Sequence, residues 1–209
     1  MNPLSYDVVD GIKHYKLFIN GTWTASSRNA LLDVSNPATG EVFARVHQAG
    51  TEEIEAAIAT SHRASEIWGC TLVAERETTL LKIGEVIADR TDEIRDLLIE
   101  ECGSVHGKAL WEIGYVLDAI RSAAGDARHV MGETMPMTTP GQISISVRKP
   151  LGVIAGISPF NSPFLLAMKK IVYALATGNT FILKPSEETP ISGLILGDLL
   201  QEAGVPEVC

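Results

Sequence analysis

From Leu151 onward the chain reads strand, helix, strand, helix, and that order admits few folds. Gly152-Val-Ile-Ala-Gly-Ile157 is a short apolar run of the kind found in strands buried on both faces. Ser162-Pro163 follows as cap and first residue of a helix, where proline's missing amide costs nothing. That helix runs toward Ala176 and stops at Gly178. Asn179-Thr-Phe-Ile-Leu183 is the next buried strand, and Thr189-Pro190 opens a second helix reaching Ala203-Gly204. Strands joined by crossover helices pair in parallel, so an α/β fold with a partial parallel β-α-β sheet is expected. Two strands make a poor independent sheet, and the chain reads as cut within a domain.

The earlier sequence supplies strands and then helices. Lys16-Leu-Phe-Ile-Asn-Gly-Thr-Trp23 is a hairpin, because Asn20-Gly21 tolerates positive φ at both turn positions. Asn36-Pro-Ala-Thr-Gly40 is a second turn, followed by a short strand from Glu41 to His47. Thr51 is expected to cap a helix that opens on Glu52 and Glu53 and extends to Trp68. A second helix is expected over Ala74–Arg90, with Leu80, Leu81, Ile83, Gly84 and Ile87 on its apolar face. A third ends near Cys102-Gly103, and a fourth covers about Leu110–Met131. Glu133–Pro140 is rich in Thr, Pro and Met, and Ile143–Lys149 alternates as a half-exposed strand does.

Charge and cysteine usage narrow the function classes. The net charge is −9, which disfavours nucleic acid and anionic membranes as partners. The first fifteen residues lack the basic and apolar regions of a signal peptide, and no run approaches the roughly 18 apolar residues of a membrane span. Cys70, Cys102 and Cys209 form neither a C-x-x-C pair nor a disulfide framework, and the five histidines show no metal-ligand spacing. No metal is expected, and the scattered thiols fit a reducing, cytoplasmic setting.

The residues that can carry chemistry follow the two strands. Ligands of open α/β sheets bind outside the carboxyl ends of strands. Asn161 lies in such a position: it either turns the chain before the helix or donates its amide to a developing oxyanion. Lys184 and Glu187 follow the second strand, either as a solvated loop or as nucleotide ligands, Lys184 for a phosphate or hydroxyl and Glu187 for a ribose 2′-OH. Neither G-x-G-x-x-G nor G-x-x-x-x-G-K-[ST] occurs; Gly152 and Gly156 fall in the strand and fit neither fingerprint.

Linked motifs give these positions a common context. Ile157-Ser-Pro-Phe-Asn-Ser-Pro163, Ala174-Leu-Ala-Thr-Gly-Asn-Thr180, Leu183-Lys-Pro-Ser-Glu187 and Thr189-Pro190 resemble the NAD(P)-dependent aldehyde dehydrogenase superfamily in order and spacing. Phe18-Ile-Asn-Gly-Thr-Trp23, Asn36-Pro-Ala-Thr-Gly-Glu41 and Pro150-Leu-Gly-Val-Ile154 agree, so the resemblance covers about Lys16 to Pro206. It implies that Asn161 stabilises the oxyanion and that Lys184, Ser186 and Glu187 bind the cofactor, with Lys184 and Glu187 on the adenosine ribose. Ile157, Ser158, Pro159 and Phe160 would form the wall beside the cofactor, Phe160 replacing the family's commoner tryptophan. Glu187 would repel a 2′-phosphate, which favours NAD over NADP.

The resemblance further implies oxidation of an aldehyde to an acid through a cysteine thioester, with cysteine, general base and pyrophosphate loop all further along than anything matched here. Residues 1–133 and 151–209 would be the incomplete N-terminal part of the NAD-binding domain. Residues 134–150 would be an oligomerisation segment for a homodimer or homotetramer. Cys102 replaces a usual threonine at a helix end and reads as a packing residue. Gly132-Glu-Thr-Met-Pro136, Met168-Lys-Lys170 and Glu187-Glu-Thr-Pro190 are similar to members that oxidise aromatic aldehydes. The alternative is a catalytically inactive module for cofactor binding or oligomerisation.

Overall fold

The computed structural model describes residues 4–206. Asn20 and Gly21 both take positive φ, +54° and +66°, and join β3 (Leu17–Ile19) to β4 (Thr22–Thr24) as the expected hairpin. Ahead of it lies a hairpin that sequence reading missed, β1 (Tyr6–Val9) and β2 (Ile12–Tyr15). These two join β5 (Leu31–Ser35) and β6 (Val42–His47) in a four-stranded sheet of order β1-β2-β6-β5.

Four helices follow: α1 (Thr51–Trp68), α2 (Val73–Asp89), α3 (Thr91–Cys102) and α4 (His106–Ala127). Thr51 is the first helical residue of α1, not its cap. Gly50 caps it, and the Glu53 carboxylate accepts from the Gly50 amide at 2.6 Å and the Ser27 amide at 2.7 Å. The Ser27 and Gly50 amides hold the Glu53 carboxyl down at about 2. Leu81 faces solvent; the buried stripe of α2 is Leu80, Ile83, Val86 and Ile87. α4 starts and ends a turn earlier than expected, because its stripe of Ala109, Ile113, Val116 and Ile120 packs on α2 and α3 while Val130 and Met131 meet no core.

The expected β-α-β-α unit is present. β9 (Val153–Ile157) and β10 (Thr180–Lys184) pair in parallel from Val153↔Thr180 to Ile157↔Lys184, with α5 (Pro163–Ala176) between them and α6 (Pro190–Glu202) after them. Gly152 precedes β9 rather than lying within it, at φ +103°. Gly156 is in the strand because a Cβ there would stand 2.2 Å from the Phe181 ring. β9 is not buried on both faces: Ala155 and Ile157 are exposed, since nothing among the described residues covers them. β7 (Glu133–Met135) and β8 (Ser144–Ser146) form a hairpin exposed on both faces, not the half-buried strand expected over 143–149.

The core joins these layers around α5. Phe164, Met168, Val172 and Leu175 are buried against Leu80, Ile113 and Ile120. The Trp68 indole donates to the Leu175 carbonyl at 3.0 Å, and Arg76 donates to the Ala176 carbonyl at 3.1 Å. These bonds satisfy carbonyls at the end of α5, where a cation also suits the helix dipole. Thr180 Oγ1 donates to the Ser61 carbonyl at 3.0 Å and ties β10 to α1.

Candidate active site and cofactor loops

Two loops leave the carboxyl ends of β9 and β10 side by side. The backbone amide of Ser158 donates to the Lys184 carbonyl at 3.0 Å, extending the parallel pairing by one bond. Ser158 is buried, and its hydroxyl donates to the Pro163 carbonyl at 3.4 Å. Ile157 is 70% exposed and Phe160 is 60% exposed, while Pro159 and Asn161 also face solvent. The Asn161 amide makes no hydrogen bond among the described residues, so it forms no Asx turn. Its donor is left facing solvent just ahead of α5.

On the second loop, Lys184 Nζ lies 2.5 Å from Glu187 Oε1 and donates to the Pro185 carbonyl at 3.2 Å. Both side chains are more than half exposed. The Lys184 hydrogen bond lowers the Glu187 carboxyl pKa and keeps it ionised. An ammonium and a carboxylate in contact at a sheet's carboxyl edge are a donor and an acceptor set for vicinal hydroxyls. These residues therefore fit the ribose of a dinucleotide. Ser186, half-buried, accepts from the Glu188 amide at 3.3 Å, so its hydroxyl shapes the loop.

Lys184, Ser186 and Glu187 also line one end of a groove of about 680 Å³ between β3, α1, β10 and α6. Its remaining wall is largely apolar, including Leu17, Phe18, Ile182, Leu194 and Val205. Asn161 and residues 157–160 lie outside it. The groove follows the edge of β10 that has no strand partner among the described residues. Its chemistry suits packing more than polar ligation.

Three residues that sequence reading missed shape the loops. Lys170 donates to the Ile157 carbonyl. Glu112, from α4, accepts from the Leu165 amide at 3.0 Å; Glu101, from α3, accepts from the Ile191 and Ser192 amides at 2.6 and 2.7 Å. The available signal was position: Glu112 interrupts the apolar stripe between Ala109 and Ile113. Cys102 behaves as a packing residue: burial and the neighbouring Glu101 push its thiol up to about 12, and its sulfur lies 3.8 Å from Ser192 Oγ. Cys70 is exposed, and Cys209 lies outside the described residues. Among the described residues no cluster could hold a metal ion, and no helix is long and apolar enough to cross a membrane.

Known proteins share this fold. The profile of the aldehyde dehydrogenase family matches residues 23–208. The human mitochondrial acylating methylmalonate-semialdehyde/malonate-semialdehyde dehydrogenase is 39% identical over 192 residues, 92% of this chain and 36% of its own length. A crystal structure of an E. coli NADP-dependent enzyme superposes with a TM-score of 0.90 at 34% identity, covering 92% of this chain and 40% of that one. A salicylaldehyde dehydrogenase from Pseudomonas putida G7, complexed with salicylaldehyde, gives 0.88 at 30% identity, with 91% and 40% covered. The chain thus spans about 40% of the length of the relatives it matches. With the motifs in register and the α/β fold shared, the chain belongs to the aldehyde dehydrogenase family.

Proposed function

We propose that this chain supplies the oxyanion donor and the ribose-binding half of the cofactor site in an NAD-dependent oxidation of an aldehyde to a carboxylic acid. The observation that carries the reading is the pair of neighbouring loops at one sheet edge, presenting Asn161 on one and the Lys184–Glu187 pair on the other. Asn161 donates its amide to the oxygen that gains charge as a nucleophile adds to the aldehyde carbonyl. Lys184 and Glu187 hold the ribose hydroxyls, and residues 157–160 bound the cofactor. NAD, when bound there, would supply the hydride acceptor. The ionised Glu187 opposes a 2′-phosphate, which supports NAD over NADP even though structural neighbours include NADP-dependent ones.

Residues 1–133 and 151–209 act as the N-terminal part of the NAD-binding domain, and 134–150 as an oligomerisation segment of a homodimer or homotetramer. Aromatic aldehydes are the first substrate class to assay, with semialdehydes second, given the names of the relatives above. The acidic charge and unpaired thiols support a cytoplasmic setting.

Asn161→Ala in the active native protein is expected to lower kcat on the order of 10²-fold with NAD binding retained. An unchanged kcat overturns the role of Asn161.

A further inference from the structure

The two helices that follow the cofactor loops share an unusual start. Ser162 and Thr189 occupy the N-cap positions, yet neither side chain makes a capping hydrogen bond, and Pro163 and Pro190 come next. Buried amides in the first turns are satisfied from elsewhere. Glu112 reaches from α4 to the Leu165 amide, with its other oxygen 3.0 Å from Lys108 Nζ. Glu101 reaches from α3 to the Ile191 and Ser192 amides, and Ser192 Oγ donates to it at 2.5 Å. Their side chains are buried, Glu112 at 0% and Glu101 at 3% residue exposure. A carboxylate at a helix N-terminus satisfies orphan amides and complements the dipole, and charged hydrogen bonds of this kind are stronger than neutral ones.

We infer that Glu112 and Glu101 are positioning residues: each fixes the first turn of one helix and thereby the exit of the loop before it. Glu112 sets Ser158–Asn161, and Glu101 sets Lys184–Glu187. The functional part of this inference rests on the reading proposed above; the structural part does not. Satisfying the helix start from a separate layer leaves the loop side chains themselves available for ligand. Glu112 and Glu101 act on the loops through the backbone amides of the helix starts, Glu101 also through the Ser192 hydroxyl.

The test uses the full 209-residue chain, uniformly 15N-labelled, with Glu112→Gln and Glu101→Gln beside the parent. Expected in Glu112→Gln are shifts at Leu165, Ser158 and the Asn161 side-chain amide, with Lys184 and Glu187 unmoved. Expected in Glu101→Gln is the converse, centred on Ile191, Ser192 and Glu187. The second variant is the stronger perturbation, because each Glu101 oxygen accepts from a backbone amide and a glutamine can serve only one of them, whereas Glu112 accepts from one backbone amide alone. Loop signals that stay in place, or that move alike in both variants, overturn the inference. If either variant loses its dispersed spectrum, Lys108→Met and Ser192→Ala carry the test by altering one partner of each carboxylate. NAD⁺ titrated into the active native protein and its Glu101→Gln variant reports the functional part, with a Kd raised roughly tenfold, the weight of one charged hydrogen bond. Loop-specific shifts with an unchanged Kd for NAD⁺ uphold the positioning and overturn the cofactor reading instead.

Discussion

The Glu101 carboxyl has three donors and no cation within the set that bonds it. Burial pushes its pKa from 4.5 to about 7, and the nearby Glu100 adds to the rise, while the Ser192 and Ile191 donors oppose it. Below pH 4.5 the group is protonated both folded and unfolded. Between about 4.5 and 7 the unfolded chain releases the proton first, so folding loses stability as pH rises through that window. The expected loss is on the order of 3 kcal/mol. Urea unfolding at pH 4.5 and pH 7.5 measures it: the parent should fall relative to Glu101→Gln, whose side chain does not titrate. Parallel pH dependence in the two proteins would contradict the raised pKa.

Among the elements, the β9–β10 pair has the least room for change. Phe181 of β10 covers Gly156 of β9, where an added Cβ would meet ring carbons at 2.2 and 2.9 Å. The ring is packed in the core and cannot swing away freely. Gly156→Ala is expected to cost about 1–3 kcal/mol, read as a lower urea midpoint with an unchanged slope. Gly125→Ala, with open space around its Cβ, serves as the control. The strand–helix–strand order was legible because Ser162-Pro163, Gly178 and Thr189-Pro190 are local punctuation. The Asn20-Gly21 turn was legible for the same reason. The face that each element buries was less so. Leu81 and Ile157 are apolar and exposed, since burial depends on what other elements cover them. Asn161, Lys184 and Glu187 could be placed at a strand's carboxyl edge from sequence alone. The helix caps from Glu101 and Glu112 could not, because those contacts span 53 to 91 residues.

At the scale of the whole molecule, two apolar surfaces among the described residues stand out. One is the groove beside β10. The other is the β7–β8 hairpin and its flanks, where Met135, Met137, Ile143, Ile145 and Val147 are all exposed. Exposed contiguous apolar surface of this kind marks interfaces. Ile145→Glu with Val147→Glu is expected to convert an assembled protein to a monomer, measured by light scattering after size exclusion. An unchanged mass would remove 134–150 from the interface. The buried carboxylates also bear on the order in which the molecule is made. Glu112 precedes its amide partner by 53 residues and Glu101 precedes its partners by 90 and 91. At the usual pace of synthesis those gaps last on the order of 3–20 s. Throughout that interval both carboxylates remain hydrated on the nascent helical layer, and each is dehydrated only when the helix bringing its amides arrives. Translation thus delivers the socket before the plug, and a ribosome that pauses before residue 165 holds the chain with both charges still in water.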